Sequence, residues 1–302
     1  MEYSSKKAVL AALFGNLAIA VFKLVAAIFS RSSSMLAESY HSISDTFNQV
    51  LLLYGLRCSR KAPDKQHPFG HGKEQYFWPF LVAVILFGIA GMLSVREGYH
   101  KFLHPEPISH LGLTYLAIAA GFMFETVAFR IALKKIREEM KTEQHRNLFD
   151  ALKRSKDPTT MTVFFEDTLA MAGLLIAAAA ITLVHFTGLL IIDAIASAII
   201  GVLLMVFALF LANETRKLLL GEAVTPIRRK RILIAVGRFD EVERVVSLKT
   251  MHLGPDEVLV TLEVDYRDDL TVTELEELND RIEEKIKEVV PGAKIYLEPE
   301  NK

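Results

Sequence analysis

Six stretches of the chain are apolar, near residues 8–29, 35–57, 77–99, 111–134, 162–185 and 189–213. Each approaches or exceeds the roughly 20 residues that a helix needs to cross the hydrocarbon core of a bilayer. Their flanks are charged or turn-forming. The first run is too long for the apolar core of a cleaved signal peptide, and it lacks a small-residue cleavage site. The pattern predicts a membrane α-helical bundle of six transmembrane helices over residues 1–215.

Beyond residue 214 the pattern changes. "PIRRKRILIAVGRFDE" predicts a helix with Pro226 in its first turn. "VERVVSLKTMHL" and "EVLVTLEVDY" have the β-branched content and partial alternation of strands, with "GPD" at 254–256 as the turn between them. "TVTELEELNDRIEEKIKEVV" predicts an amphipathic helix, capped by Thr271 or Thr273 and stopped by Pro291 and Gly292. "AKIYLE" predicts a last strand. The order α-β-β-α-β over residues 216–302 implies a small α+β domain, its helices packed on one face of a short sheet.

Composition supports this division. The 302 residues are 51% hydrophobic, and the mean hydropathy of +0.29 is too high for an ordinary soluble domain. The net charge of −1 says nothing about partners, but its distribution does. Basic residues gather at Lys6 and Lys7; at Arg57, Arg60, Lys61, Lys65 and Lys73; at Lys134, Lys135, Arg137, Lys141, Arg146, Lys153 and Arg154; and at Arg216 and Lys217. The alternate connections hold only Arg31, only Lys101, and none around 186–188. The positive-inside rule then places both termini and the C-terminal domain in the cytoplasm. Topology explains the basic residues, so no nucleic-acid partner is expected. The single cysteine, Cys58, excludes an intrachain disulfide and a multi-thiolate metal site.

Ionisable residues are costly inside a membrane and tend to mark a pathway. In "AESYHSISDTFNQ" (37–49), His41 and Asp45 stand four apart and share a helix face. An imidazole nitrogen and a carboxylate oxygen suit zinc and its first-row neighbours. Two ligands hold an ion weakly, so a second helix is needed. "TVFFEDTLAMAGLLIA" offers Glu166 and Asp167, about 100° apart around a helix. Asp167 is the expected ligand; Glu166 is a ligand, an outer partner or a proton carrier. Asn48 lies a turn beyond Asp45 and lines the same cavity or plays a structural part. The alternative for His41 and Asp45 is a helix–helix hydrogen bond. Asn16, Lys23, Glu38, Glu125 and Asp193 read as structural, with Lys23 and Glu38 snorkelling or pairing near span ends. In "APDKQHPFGHGKEQ", between spans two and three, Asp64, His67 and His71 place three metal-ligand side chains within eight residues of turn-forming sequence.

These residues together resemble the cation diffusion facilitator family. The resemblance rests on six spans, HxxxD in the second, "HPFGHGKEQ" in the loop after it, "EDT" with a small-residue run in the fifth, and the α-β-β-α-β tail. It covers nearly the whole chain. "HPFGHGKEQYFW", "SKDPTTMTVFFEDTLAMAGLLIA" and "LLGEA" resemble the zinc transporter 9-like branch and its bacterial relatives. The family implies a homodimeric, proton-coupled antiporter of divalent cations, most often Zn²⁺, exporting by alternating access. It also implies a ferredoxin-like, metallochaperone-like cytoplasmic domain and, with the bacterial relatives, a bacterial or archaeal cell membrane. Dimer contacts are expected through both the cytoplasmic and the transmembrane domains.

The family's transport site takes two ligands from span two and two from span five. His41, Asp45 and Asp167 match three positions; the fourth falls on Val163, which has no donor atom. The site then has three protein ligands and water, or recruits Glu166 or Asn48, which leaves Mn²⁺, Fe²⁺ or Co²⁺ open as cargo. Asp64, His67 and His71 match the family's second-ion position. The tail offers only His252, beside Asp265, Glu298 and Glu300, and is expected to dimerise and to bind metal weakly or not at all. The family's acidic partner for Lys73 falls near Pro226. The competing functions are a membrane metalloenzyme, for which no further catalytic motif is present, and a non-transporting metal sensor or scaffold, which the ligand-poor tail disfavours.

Overall fold

A computed structural model of the chain describes residues 2–84, 88–142 and 158–300. Of the expected basic residues, Arg146, Lys153 and Arg154 lie outside the described residues. The helices are α1 (Glu2–Ser30), α2 (Ser33–Ser59), α3 (Glu74–Val82), α4 (Gly88–Leu103), α5 (Leu111–Thr142), α6 (Pro158–Thr187) and α7 (Ile191–Leu220), followed by α8 (Pro226–Val236) and α9 (Val272–Val289). The strands are β1 (Val242–His252), β2 (Val258–Tyr266) and β3 (Ala293–Pro299). Two compact units form: Met1–Tyr54 with Trp78–Thr215, and Gly55–Phe77 with Arg216–Lys302.

Among the described residues, four segments are long and apolar enough to cross a membrane: Leu13–Ser30, Leu111–Lys134, Phe164–Thr187 and Ile191–Leu220. Helix α2 has the length, at 27 residues. Its polar face lowers its apolarity, and that face is turned inward: Glu38, Ser39, His41 and Asn48 are buried. The third expected span is two described helices, α3 and α4. Pro79 lies inside α3, where it removes a backbone donor. A wide π turn follows at 83–84.

Small residues bring α4 and α7 together. A side chain at Gly91 would meet the Gly201 carbonyl at 2.7 Å, and one at Gly98 would meet the Ala194 carbonyl at 2.6 Å. Between them Ser197 Oγ donates to the Ser94 carbonyl at 2.8 Å. Backbones approach in this way where small side chains line a helix interface in lipid.

The first turn of α2 is capped by another helix. Asp193, in the first turn of α7, is fully buried. Its Oδ2 accepts from the Ser33 backbone N–H at 2.7 Å and its Oδ1 from the Ser34 N–H at 3.2 Å. The hydroxyls of Ser32 and Ser34 also donate to Oδ1. A helix start leaves backbone donors unpaired, and a carboxylate there also complements the helix dipole.

The second unit contains the α-β-β-α-β domain. Its sheet order is β1-β2-β3, with β1 antiparallel and β3 parallel to β2. Alternate β2 residues Val258, Val260, Leu262 and Val264 are buried with Ile232 and Val236 of α8 and Leu278, Ile282 and Ile286 of α9. Thr271 is the N-cap of α9: it accepts from the Glu274 N–H, and Glu274 accepts in return from the Thr271 N–H. Thr225 caps α8, with Pro226 in its first turn.

Asp193→Ala should cost about 2 kcal/mol, the upper range for losing a helix cap. The readout is the melting temperature of the detergent-solubilised protein. A parental melting temperature would show that the cap contributes nothing.

Candidate metal centre

The helical unit gathers its polar side chains on the inner faces of α2 and α6. His41 is buried, and its Nδ1 stands 3.5 Å from Asp45 Oδ1 one turn on. Asp45, Glu166 and Asp167 line one cavity of about 30 Å³. Although neighbours on α6, Glu166 and Asp167 both reach it. Asn48 Nδ2 donates to Glu166 Oε1, so this carboxylate has an amide partner from α2. Asp45 Oδ1 and Asp167 Oδ2 are buried without a hydrogen bond. An unmatched carboxylate oxygen in an apolar setting is costly, and a cation relieves that cost. The cavity exceeds the roughly 10–15 Å³ that one water requires. One imidazole among carboxylates suits zinc and harder first-row dications.

Of the residues expected at the site, the structure brings Asp45, Glu166 and Asp167 to one cavity and places His41 against Asp45. Val163 lies on α6 one turn before Asp167. Of the two expected roles for Lys23 and Glu38, they pair rather than snorkel: both are fully buried, with Lys23 Nζ 3.3 Å from Glu38 Oε2. The cavity also takes Glu125 from α5 and Asn16 from α1, which sequence had read as structural. The available signal for Glu125 was a carboxylate in the middle of an apolar stretch.

The second cluster belongs to the other unit. Asp64, His67 and His71 place one donor atom each within 4.8 Å of one another, and among the described residues they alone meet that criterion. The intramembrane donors thus frame a cavity rather than converge. In the loop, Asp64 Oδ1 accepts from the backbone N–H groups of Gln66 at 2.8 Å and His67 at 2.7 Å. His71 Nε2 stands 3.0 Å from Asp64 Oδ2, and the two imidazole rings lie 4.3 Å apart. The C-terminal domain secures this loop: Lys294 Nζ on β3 donates to the Phe69 carbonyl at 2.7 Å, and the Phe69 ring meets Tyr296 edge-on. Lys73 donates to the Leu219 carbonyl at 3.2 Å, near the end of α7, and stands 3.9 Å from Met251 Sδ. His252 is buried at the end of β1, and Asp265 is paired with Arg244 at 2.9 Å.

The His67 backbone N–H, then the His71 side chain, hold Asp64 down at about 2. A depressed carboxylate pKa means that the turn gains stability above the ordinary carboxylate value and loses it as pH falls through about 2. The Asp64 carboxyl carbon should titrate near that pH by NMR; a midpoint at the ordinary value of 3.8 would refute the turn geometry.

Two family models match nearly the whole chain: the cation efflux transmembrane domain over residues 9–220 and the cation efflux protein cytoplasmic domain over residues 224–301. Metal tolerance protein C4 of Arabidopsis thaliana is 32% identical over 273 residues, 90% of this chain and 59% of that protein. The mitochondrial proton-coupled zinc antiporter SLC30A9 of Homo sapiens is 31% identical over 260 residues, 86% of this chain and 46% of that protein. The chain thus spans only about half the length of these two relatives. Manganese efflux system protein MneP of Bacillus subtilis is 24% identical over 288 residues, 95% of this chain and 92% of that protein. With both family domains in order and helices long enough to cross a membrane, the chain is an integral membrane protein of the cation efflux family, the cation diffusion facilitators.

Proposed function

We propose that the protein is a proton-coupled antiporter that exports Zn²⁺ or a related divalent cation by alternating access and works as a homodimer. The observation that carries this reading is the cavity between helices onto which Asp45, Glu166 and Asp167 open, with His41 against Asp45. A dication there would meet Asp45 Oδ1 and Asp167 Oδ2, which accept no hydrogen bond. Metal binding needs deprotonated ligands, so protons and metal compete for the same groups. That competition couples the two fluxes. The basic loops support an orientation with both termini and the C-terminal domain on the cytoplasmic side. The Asp64–His67–His71 cluster would hold a second ion on that side, where the donors already converge.

Manganese is the second reading for cargo. One imidazole among oxygen donors is a hard set, and the bacterial relative matched over nearly its full length is named for manganese efflux.

Reconstituted vesicles test both. The protein should move zinc or manganese against a pH gradient with proton flux in the opposite direction. Asp45→Ala and Asp167→Ala should each lose more than the roughly 10–100-fold that outer-shell changes cost. Parental rates for both variants with zinc, manganese, cobalt and iron would rule the cavity out as the transport site.

A further inference from the structure

The carboxylates around the cavity come from three helices. Asp45 belongs to α2, Glu166 and Asp167 to α6, and Glu125 to α5. The cation placed beside them is Lys23 of α1, fully buried. Its ammonium donates to Ser42 Oγ at 2.8 Å and to Glu38 Oε2 at 3.3 Å, while Glu125 Oε1 stands 3.8 Å away. Glu38 is therefore the closer partner, and Glu125 is held through space rather than by a hydrogen bond.

The helices are shaped around this ammonium. A side chain at Gly121, one turn before Glu125, would meet Lys23 Cε at 2.7 Å, and one at Gly173 would overlap Glu38 Oε1. Glu125 is about nine-tenths buried and lines the same cavity as Asp167, whose Oδ2 is buried without a partner. A buried ammonium within reach of two carboxylates balances one negative charge and leaves the second available to another cation.

We propose that Glu125 is a further ligand of the cavity, supplied by α5, and that Lys23 is the internal counter-ion it leaves when a dication binds. This rests on the transport reading above. Glu125 brings a carboxylate to a site whose α6 position 163 has no donor. Its loose tie to Lys23 lets it turn to the metal, while Glu38 and Ser42 keep the ammonium matched. Lys23 thereby competes with the cargo for one carboxylate.

The test uses the full chain, with zinc and manganese as probes, in equilibrium binding and in vesicle transport. Glu125→Gln should raise Kd and KM at least about tenfold, and Glu125→Asp should recover part of the loss. Lys23→Met should tighten binding in the parent and leave it unchanged in the Glu125→Gln background, the coupling that a double-mutant cycle reads. Parental binding by Glu125→Gln, or equal tightening by Lys23→Met in both backgrounds, overturns the assignment. The Glu125 pair decides the matter even where Lys23→Met yields no folded protein. Loss of transport in Asp45→Ala with Glu125→Gln unaffected overturns the role of Glu125 alone. Full transport in both overturns the cavity reading and this inference with it.

Discussion

A charge inside a bilayer has to be matched by an opposite charge, by hydrogen-bond donors or by a proton. The interior of the helical unit is organised by that requirement. Asp193 is matched by the donors at the start of α2, Glu38 by Lys23, and Glu166 by the amide of Asn48. Each match ties two helices together, because the partners come from different segments. Asp45 Oδ1 and Asp167 Oδ2 are among the buried atoms that accept no hydrogen bond, and both belong to residues that line the cavity.

The loop cluster solves a different problem. Asp64 and His67 are half exposed, so solvation is available and no burial penalty has to be offset. Convergence of the three donors comes instead from the backbone: Asp64 holds the turn by accepting from the N–H groups that follow it. The sheet of the C-terminal domain then fixes the loop through Lys294 and Tyr296. One chain therefore presents two donor arrangements, one converged in water and one framing a cavity among helices.

Local pattern made most of the architecture legible. Apolar length marked the helices, and alternation marked β1 and β2. A threonine cap at 271 or 273 and the stop at Pro291 and Gly292 marked the ends of α9, and the structure places the cap at Thr271. The pair His41 and Asp45 was readable because their spacing alone puts them on one face. Other features depend on which helices pack together. Glu125 is a lone carboxylate in sequence, and only the packing of α5 against α1 and α6 brings it to the cavity. Lys23 and Glu38 are fifteen residues apart with a turn between them, so their pairing is tertiary. Lys73 illustrates the same limit: its nearer partner is a carbonyl 146 positions away, and a carbonyl carries no residue type to search for. The wide turn at 83–84, just after the Pro79-containing helix α3, reflects backbone geometry that hydropathy does not encode.

The carboxylate at position 193 moors one end of α2 to α7. An angular change about a moored end grows along the lever. Asp45 lies about 18 Å from Ser33 along the axis, at ~1.5 Å per residue. A swing of only about 3° would carry its carboxylate roughly 1 Å while the serine end stays nearly still. That displacement is the scale separating a hydrogen-bonding distance from an open gap, so a stiff rod fixed at one tip can reset the geometry around His41 and Asp45 without unwinding a turn.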